Sequence, residues 1–296
     1  GGQGYRPAAG DSRGSHLRFS GSALLWIFAG ERQDGLMSLE ARGLQFSYNE
    51  NEPILRGLSV VIPKGQITAL IGRNGCGKST LLRLLNRLLE PGGGQVFLEG
   101  RDLGGYGAKE LAQTMAHLTQ SPTAPAGLSV KELVEFGRHP YRGFLGRASS
   151  KDREVVDWAL QQTSLVELAD RALDSLSGGQ RQRAWIAMAL AQDTEYLLLD
   201  EPTTHLDIAH QLEVLELLAK LNEENRKTIV MVVHDPNHAS QYAQNVVCLS
   251  GGTLLREGRP ADIFTEENVE ELFGVTPLIF PGTTPAKPWC VPLRTL

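Results

Sequence analysis

The chain has 296 residues, 41% of them hydrophobic and 21% charged, with a formal net charge of −5. That composition belongs to a folded globular protein rather than a disordered one, and its acidic balance argues against a whole-protein pull toward nucleic acid, so no nucleic-acid partner is expected. The longest apolar run near the start, Ala23-Leu24-Leu25-Trp26-Ile27-Phe28-Ala29, is far too short to cross a bilayer, so service to a membrane has to go through a partner.

The three cysteines, Cys76, Cys248 and Cys290, are widely scattered. They suggest neither a disulfide framework nor a zinc site and fit a reducing compartment. Residues 1–36 are rich in Gly, Ser and Arg without sustained periodicity, and Met37-Ser38-Leu39-Glu40 looks like a natural start. The reading is a leader or disordered extension, set aside from the fold. A secretory signal competes with it, but the apolar core is short and no small-residue cleavage site follows.

From Leu39 the alternation Leu39, Ala41, Leu44, Phe46, Tyr48 predicts a strand with one slip or bulge. Asn49 to Pro53 is a turn, and Ile54 to Ile62 a second strand. Together they predict a small antiparallel side sheet. Tyr48 then lies where its ring can stack on a base, although taken alone it reads as a packing residue.

Ile67-Thr68-Ala69-Leu70-Ile71 is a short apolar strand. It runs into Gly72-Arg73-Asn74-Gly75-Cys76-Gly77-Lys78-Ser79-Thr80, and a helical pattern follows to about residue 89. Strand, glycine loop and helix are the context a phosphate-binding loop needs. Glycines let backbone N–H groups turn toward phosphate oxygens, and the helix aims its partly positive N-terminus at the same anion. Lys78 can reach the β- and γ-phosphates, and Ser79 can offer a hydroxyl to Mg²⁺. The competing reading is an ordinary glycine-rich turn, which the correct flanks disfavour. Cys76 reads as a small side chain in this loop that could make the site sensitive to alkylation.

Gln95 to Leu98 and Ala116 to Thr119 are further short strands, the second leading to Gln120 and a breaker-rich loop, Ser121 to Gly127. From about 128 to 176 the spacing of Val130, Leu133, Val134 and Phe136, then Val155, Val156, Ala159 and Leu160, predicts helices with no strand between. This is an inserted helical subdomain at about 125–178. Leu176-Ser177-Gly178-Gly179-Gln180 opens the next helix, with Ser177 as N-cap. It reads either as a simple cap or as a second anion site.

Tyr196 to Leu199 is the uninterrupted apolar run of a buried parallel strand, ending in Asp200-Glu201. Thr228 to Val233 is another, ending in His234-Asp235. A lone His is more often structural. One at a strand's carboxyl end beside these carboxylates sits where a doubly wound sheet binds ligands. A helix from Asp207 to Lys220 lies between them, and Val246 to Leu249 with Thr253 to Arg256 close the chain as a hairpin-like pair around Gly251-Gly252.

The ordered set of Tyr48, the loop 72–79, Gln120, Leu176 to Gln180, Leu199-Asp200-Glu201, Leu206-Asp207 and His234 resembles the ATPase subunit of ABC transporters over about residues 38–296. The resemblance implies an α/β P-loop NTPase with a RecA-like core, an antiparallel side sheet and the helical insertion, the ATPase domain spanning 37–296. It implies that Tyr48 stacks on adenine and that Gly72, Arg73, Asn74, Gly75, Cys76, Gly77, Lys78, Ser79 and Thr80 bind the triphosphate of ATP. Mg²⁺ would be held by Ser79, Asp200 and Gln120. Glu201 would polarise the attacking water, with His234, Gln120 and Lys78 completing the catalytic set. Ser177, Gly178, Gly179 and Gln180 would contact the γ-phosphate held by a second copy, with Asp207 at that interface, so that two chains pair head to tail as a homodimer.

Gly137-Arg138-His139-Pro140-Tyr141, the helix Gln182 to Asp193 and Pro202-Thr203-Thr204-His205-Leu206-Asp207-Ile208-Ala209-His210-Gln211 resemble, within the family, the ATPases of ferric siderophore importers of the ferric hydroxamate and ferric enterobactin branches. This implies an integral membrane permease, a periplasmic or lipoprotein siderophore-binding protein, and a peripheral place on the cytoplasmic face of the inner membrane. Cobalamin and haem importers are near relatives and stay as alternatives. A soluble ABC ATPase of translation or DNA repair is the alternative of a different class. Two ATPase domains in one chain, or a long coiled-coil or zinc-bearing insertion, would mark it, and this chain has neither.

Overall fold

The computed structural model describes residues 38–49, 52–142, 148–282, 284 and 286–296, together with residue 1. The chain divides into two units, 1–36 and 37–296. The leader expected over residues 1–36, the start at Met37 and the centre of the turn at Asn49–Pro53 lie outside the described residues.

Two sheets carry the second unit. The first is antiparallel, in the order β2-β1-β4-β5, from β1 (Ser38–Ser47), β2 (Pro53–Pro63), β4 (Gly93–Leu98) and β5 (Arg101–Asp102). The slip expected in β1 is a register shift between Ala41 and Leu44, where Gly43 turns the backbone. Leu39, Ala41 and Leu44 stay buried against Leu55, Leu58, Val60 and Ile62.

The second sheet has six strands in the order β10-β9-β3-β8-β7-β6. They are β3 (Ile67–Ile71), β6 (Met115–Leu118), β7 (Tyr196–Asp200), β8 (Thr228–Val232), β9 (Asn245–Ser250) and β10 (Thr253–Gly258). All neighbours are parallel except β10, which returns antiparallel to β9. β3, β7 and β8 are buried at every position, as their unbroken apolar runs require of strands covered on both faces. Because the central strands share one direction, their carboxyl ends line one edge. The glycine loop follows β3, Gln120 follows β6, Glu201 follows β7 and His234 follows β8.

Helix α1 (Lys78–Leu85) is shorter than its apolar pattern predicts. Arg87 adopts a positive φ of 53° and the Leu88 N–H donates to Arg83 O at 2.9 Å, a reversal that ends the helix. The Arg87 guanidinium then donates to Leu103 O and Tyr106 O at 3.0 and 2.6 Å, which fixes the turn. Helix α2 (Ala108–Thr114) leads into β6.

Between β6 and β7 lie α3 (Val130–Phe136), α4 (Ser150–Gln162) and α5 (Gly178–Ala191). A single bridge, Ser129 to Ala172, is the extended pairing among the described residues there. Val130, Leu133, Val134, Val156, Ala159 and Leu160 bury against α5. Each helix opens with the same reciprocal cap: Ser129 with Glu132, Ser149 with Asp152, Ser177 with Gln180. The buried Arg138 ties them together. It donates to Asp152 Oδ1 and Ala191 O, both at 2.8 Å, with its guanidinium 3.9 Å from the Tyr141 ring centre.

Helix α6 (Ile208–Asn225) links β7 to β8, and α7 (Pro236–Tyr242) links β8 to β9. The chain does not close at β10, as the sequence pattern had suggested. It continues through α8 (Pro260–Ile263) and α9 (Glu266–Phe273) into a hairpin, β11 (Val275–Phe280) and β12 (Trp289–Thr295). Ile263, Phe264, Val269, Leu272 and Cys290 bury this extension on the main core. Its apolar residues are spread over several short elements, so no single periodic run announces them.

Candidate nucleotide site

A cavity of about 500 Å³ opens at the carboxyl edge of the sheet. Asn74, Gly75, Gly77, Lys78, Ser79 and Thr80 form its floor, Tyr48 and Ile54 one wall, and Gln120, Glu201 and His234 the other. Five separated stretches of the chain therefore meet in one place.

The floor follows from local chemistry. Gly72 leaves β3 with φ +146°, and a Cβ there would lie 2.3 Å from Leu249 O and 2.8 Å from Cys76 Sγ, so only glycine fits. Gly77 precedes α1, and no side chain caps that helix nor does any acidic residue occupy its first turn. The orphan N–H groups and the positive end of the helix dipole are thus left for an anion. Lys78 is buried, its ammonium donating to Gly72 O at 2.8 Å and Arg73 O at 3.1 Å. A buried cation whose hydrogen-bond partners are two loop carbonyls and a thiol, with no carboxylate among them, is suited to a phosphate oxygen. Cys76 is buried 4.0 Å from that ammonium, and burial pushes its thiol up, against reactivity.

Ser79 Oγ donates to Asp200 Oδ1 at 2.8 Å. Asp200 is buried at the end of β7, and its Oδ2 accepts no hydrogen bond, with the Arg83 guanidinium 4.0 Å away. Burial raises the Asp200 carboxyl above its ordinary value, against the pull of Ser79 and Arg83. An orphaned buried carboxylate oxygen beside a serine hydroxyl is an all-oxygen pair of the kind a small divalent cation takes. Gln120 lines the same cavity.

Glu201 takes a positive φ of 53°, which turns it off the strand and into the cavity. Three donors meet its carboxylate: His234 Nε2 at 2.7 Å on Oε1, and Gln120 Nε2 at 2.6 Å and Thr204 Oγ1 at 2.9 Å on Oε2. Burial alone would raise this carboxyl, but the bonds from His234, Thr204 and Gln120 outweigh it and hold it below the ordinary value. Glu201 is therefore ionised at neutral pH. Sequence reasoning missed Thr204 and Arg83. Thr204 lies three residues beyond Glu201, close enough for the turn to return it to the carboxylate, and Arg83 lies one helical turn beyond Ser79.

Tyr48 stands 54% exposed, its hydroxyl 3.4 Å from Thr80 Oγ1 and its ring edge-on to Phe46. Its exposed ring lines the same cavity.

Ser177, Gly178, Gly179, Gln180 and Asp207 do not line this cavity. Ser177 caps α5, accepting from Gln180 N at 3.3 Å. A Cβ on Gly179 would lie 2.3 Å from the His210 ring, which Asp207 holds at 2.8 Å through Nδ1. Buried Gly179, half-buried His210 and exposed Asp207 form a second group that does not line this cavity.

A family profile described as ABC transporter matches residues 55–204. The chain is 46% identical over 254 residues to the iron(3+)-hydroxamate import ATP-binding protein FhuC of Bacillus subtilis (strain 168), covering 86% of this chain and 94% of that one. It is 46% identical over 240 residues to the ferric enterobactin transport ATP-binding protein FepC of Escherichia coli (strain K12), covering 81% and 89%. Among solved structures, the dimeric MJ0796, a bacterial ABC transporter cassette, superposes with a TM-score of 0.66 at 30% identity, covering 74% of this chain and 97% of that one. With the phosphate loop, the Asp200–Glu201 pair and His234 gathered at one sheet edge, these matches place the chain in the ABC transporter family, as one of its ATP-binding, ATP-hydrolysing subunits.

Proposed function

We propose that this chain is the ATPase subunit of an importer of iron–siderophore complexes, working as a homodimer on the cytoplasmic face of the membrane beneath an integral permease, with a separate siderophore-binding protein delivering the cargo. The names of the relatives, ferric hydroxamate and ferric enterobactin import proteins, support the cargo class. Among the described residues no helix is long and apolar enough to cross a membrane, which fits a subunit that reaches the bilayer through a partner. The ATPase domain is assigned to residues 37–296, with its helical subdomain at about 125–178 and residues 1–36 outside it.

One observation carries the mechanism: Glu201 is held by His234, Gln120 and Thr204 directly beside the loop that ends in Lys78 and Ser79. In this reading adenine stacks on Tyr48 and the triphosphate lies along Gly72 to Thr80. Lys78 exchanges its loop carbonyls for β- and γ-phosphate oxygens. Ser79, Asp200 and Gln120 would hold Mg²⁺, which when bound would neutralise charge on the phosphates. Glu201 accepts a hydrogen bond from the attacking water and turns it in line, while His234 holds the γ-phosphate side of that water. The low proton affinity of Glu201 suits orientation and charge stabilisation, the chief needs of phosphoryl transfer.

The Ser177–Gln180 group, exposed at Ser177 and Gly178 and not lining the cavity of its own chain, is assigned to the γ-phosphate of a second copy, with Asp207 beside it. The dimeric cassette among the structural neighbours supports this pairing. ATP then stabilises only the closed pair, and hydrolysis releases it.

The test is Glu201→Gln, assayed for ATP binding, dimerisation and uptake of radiolabelled ferric hydroxamate in cells that carry the permease. Binding is kept, an ATP-held dimer accumulates, and uptake stops. Turnover within a few-fold of the unsubstituted chain would remove Glu201 from its role. Uptake indifferent to Glu201→Gln would remove the cargo reading.

A further inference from the structure

His234 reaches Glu201 at 2.7 Å but is 44% exposed on its other sides, so packing does little to hold its ring. Its place depends on the backbone that carries it, the end of β8 and the start of α7. Helix α7 has seven residues, too few to be stable alone, so its position is set by what it is pinned to. On the core side Ala239 is fully buried. On the other side lies the final strand of the chain.

That second attachment is dense. Asn237 Nδ2 donates to Cys290 O at 3.0 Å, and Asn237 Oδ1 accepts from Cys290 N at 2.7 Å. The side-chain amide thereby pairs with the β12 backbone as another strand would. Further along, Ser240 Oγ donates to Pro288 O at 2.5 Å, Gln241 Nε2 donates to Lys287 O at 3.0 Å, and Lys287 Nζ returns a bond to Gln241 O at 2.6 Å. The hairpin is itself anchored: Cys290 is buried in the main core, and the Leu296 N–H closes on Gly274 O at 3.0 Å.

We propose that Asn237 is a positioning residue for ATP hydrolysis. It latches α7 to the terminal hairpin, so that β11–β12 acts as a backstop holding His234 in line with Glu201. This rests on the reading of His234 as a catalytic group, and it assigns the terminal hairpin a part in turnover from outside the cavity. Asn237 suits the task because its amide offers a donor and an acceptor together, and the β12 backbone at Cys290 presents the complementary pair. Its bonds are half-buried, so losing one partner leaves a backbone group short of a hydrogen bond.

Steady-state ATP hydrolysis and ATP binding by the purified full chain test this with Asn237→Ala, Asn237→Asp, His234→Ala and the His234→Ala/Asn237→Ala double substitution. Asn237→Ala lowers kcat about tenfold and leaves KM and ATP affinity within about twofold, since the phosphate loop is untouched. Asn237→Asp keeps the acceptor for Cys290 N but loses the donor, and falls between; it also serves if Asn237→Ala does not fold. If Asn237 acts through His234, the double substitution is no slower than His234→Ala alone, whereas a merely structural loss would multiply. A multiplicative loss, or normal kcat for Asn237→Ala alongside a slow His234→Ala, overturns the latch and leaves the His234 assignment standing. Normal kcat for His234→Ala overturns both.

Discussion

Replacing Arg138 by Ala tests the physical account of the helical subdomain most sharply. The guanidinium is 2% and the Asp152 side chain 7% exposed, so the bridge between them lies almost wholly out of water. Removing one member of such a pair strands the other and costs about 3–5 kcal/mol. Two bonds to Asp152 survive, from Ser149 N and Ser149 Oγ, both at 2.8 Å, which puts the expected loss at the lower end, about 3 kcal/mol.

The pH dependence gives an independent check. Burial raises the Asp152 carboxyl, but the bonds from the Ser149 backbone, Arg138 and Ser149 Oγ overcome it and bring the group from 3.8 down to about 2. A depressed carboxyl contributes stability that is complete above its unfolded value and is lost as pH falls through its folded value. Here that contribution is about 2 kcal/mol, present above about pH 5 and fading toward pH 2. Without Arg138 its share of that depression goes, while the larger contribution of the Ser149 backbone bond stays. The stability gap between the unsubstituted chain and Arg138→Ala should therefore be widest near neutral pH and narrow below about pH 4. Urea unfolding followed by the fluorescence of Trp158 and Trp185, in and beside the subdomain, reads this directly. A gap under about 1 kcal/mol at neutral pH, or one that stays constant on acidification to about pH 3, would refute the reasoning.

Three more outcomes follow from the site. Lys78→Ala removes the buried cation that faces the loop carbonyls, and equilibrium ATP binding should weaken by about a hundredfold or more; unchanged affinity would overturn the loop assignment. Ser177→Arg leaves ATP binding intact and, in light scattering with ATP, blocks dimer formation, since the γ-phosphate contact of the paired state is obstructed; dimers that persist would contradict the shared site. Gly179→Ala drives a methyl into the His210 ring, which Asp207 keeps from moving aside. It should cost about 1–3 kcal/mol in urea unfolding and be largely relieved by adding His210→Ala; no relief would mean that the strain lies elsewhere.

Much of this molecule is readable along the chain because its chemistry is local. The glycine loop declares itself through Gly72, Gly75, Gly77 and Lys78, since a backbone cradle needs glycine at fixed spacing. Buried parallel strands show as unbroken apolar runs, so β7 and β8 and their terminal Asp200, Glu201 and His234 can be placed without coordinates. Ser177, read as an N-cap, did the same for the start of α5. The extension after β10 was not legible. Its burial is shared among α8, α9 and one side of a hairpin, none long enough to show a period.

Sequence alone determined the fold class, the order of the main strands from β1 to β10 and the position of the glycine loop, because each depends on neighbours within a few positions. Tertiary structure decided what those residues do to one another. Only the shared direction of β3, β6, β7 and β8 brings Ser79 onto Asp200, and Gln120, Thr204 and His234 onto Glu201. Only packing leaves Asp200 with an unpartnered oxygen while surrounding Glu201 with donors, so that burial raises one carboxyl and hydrogen bonds lower the other. Proton affinity and partner choice come from burial and from contacts made across the fold, and neither is written in the order of residues along the chain.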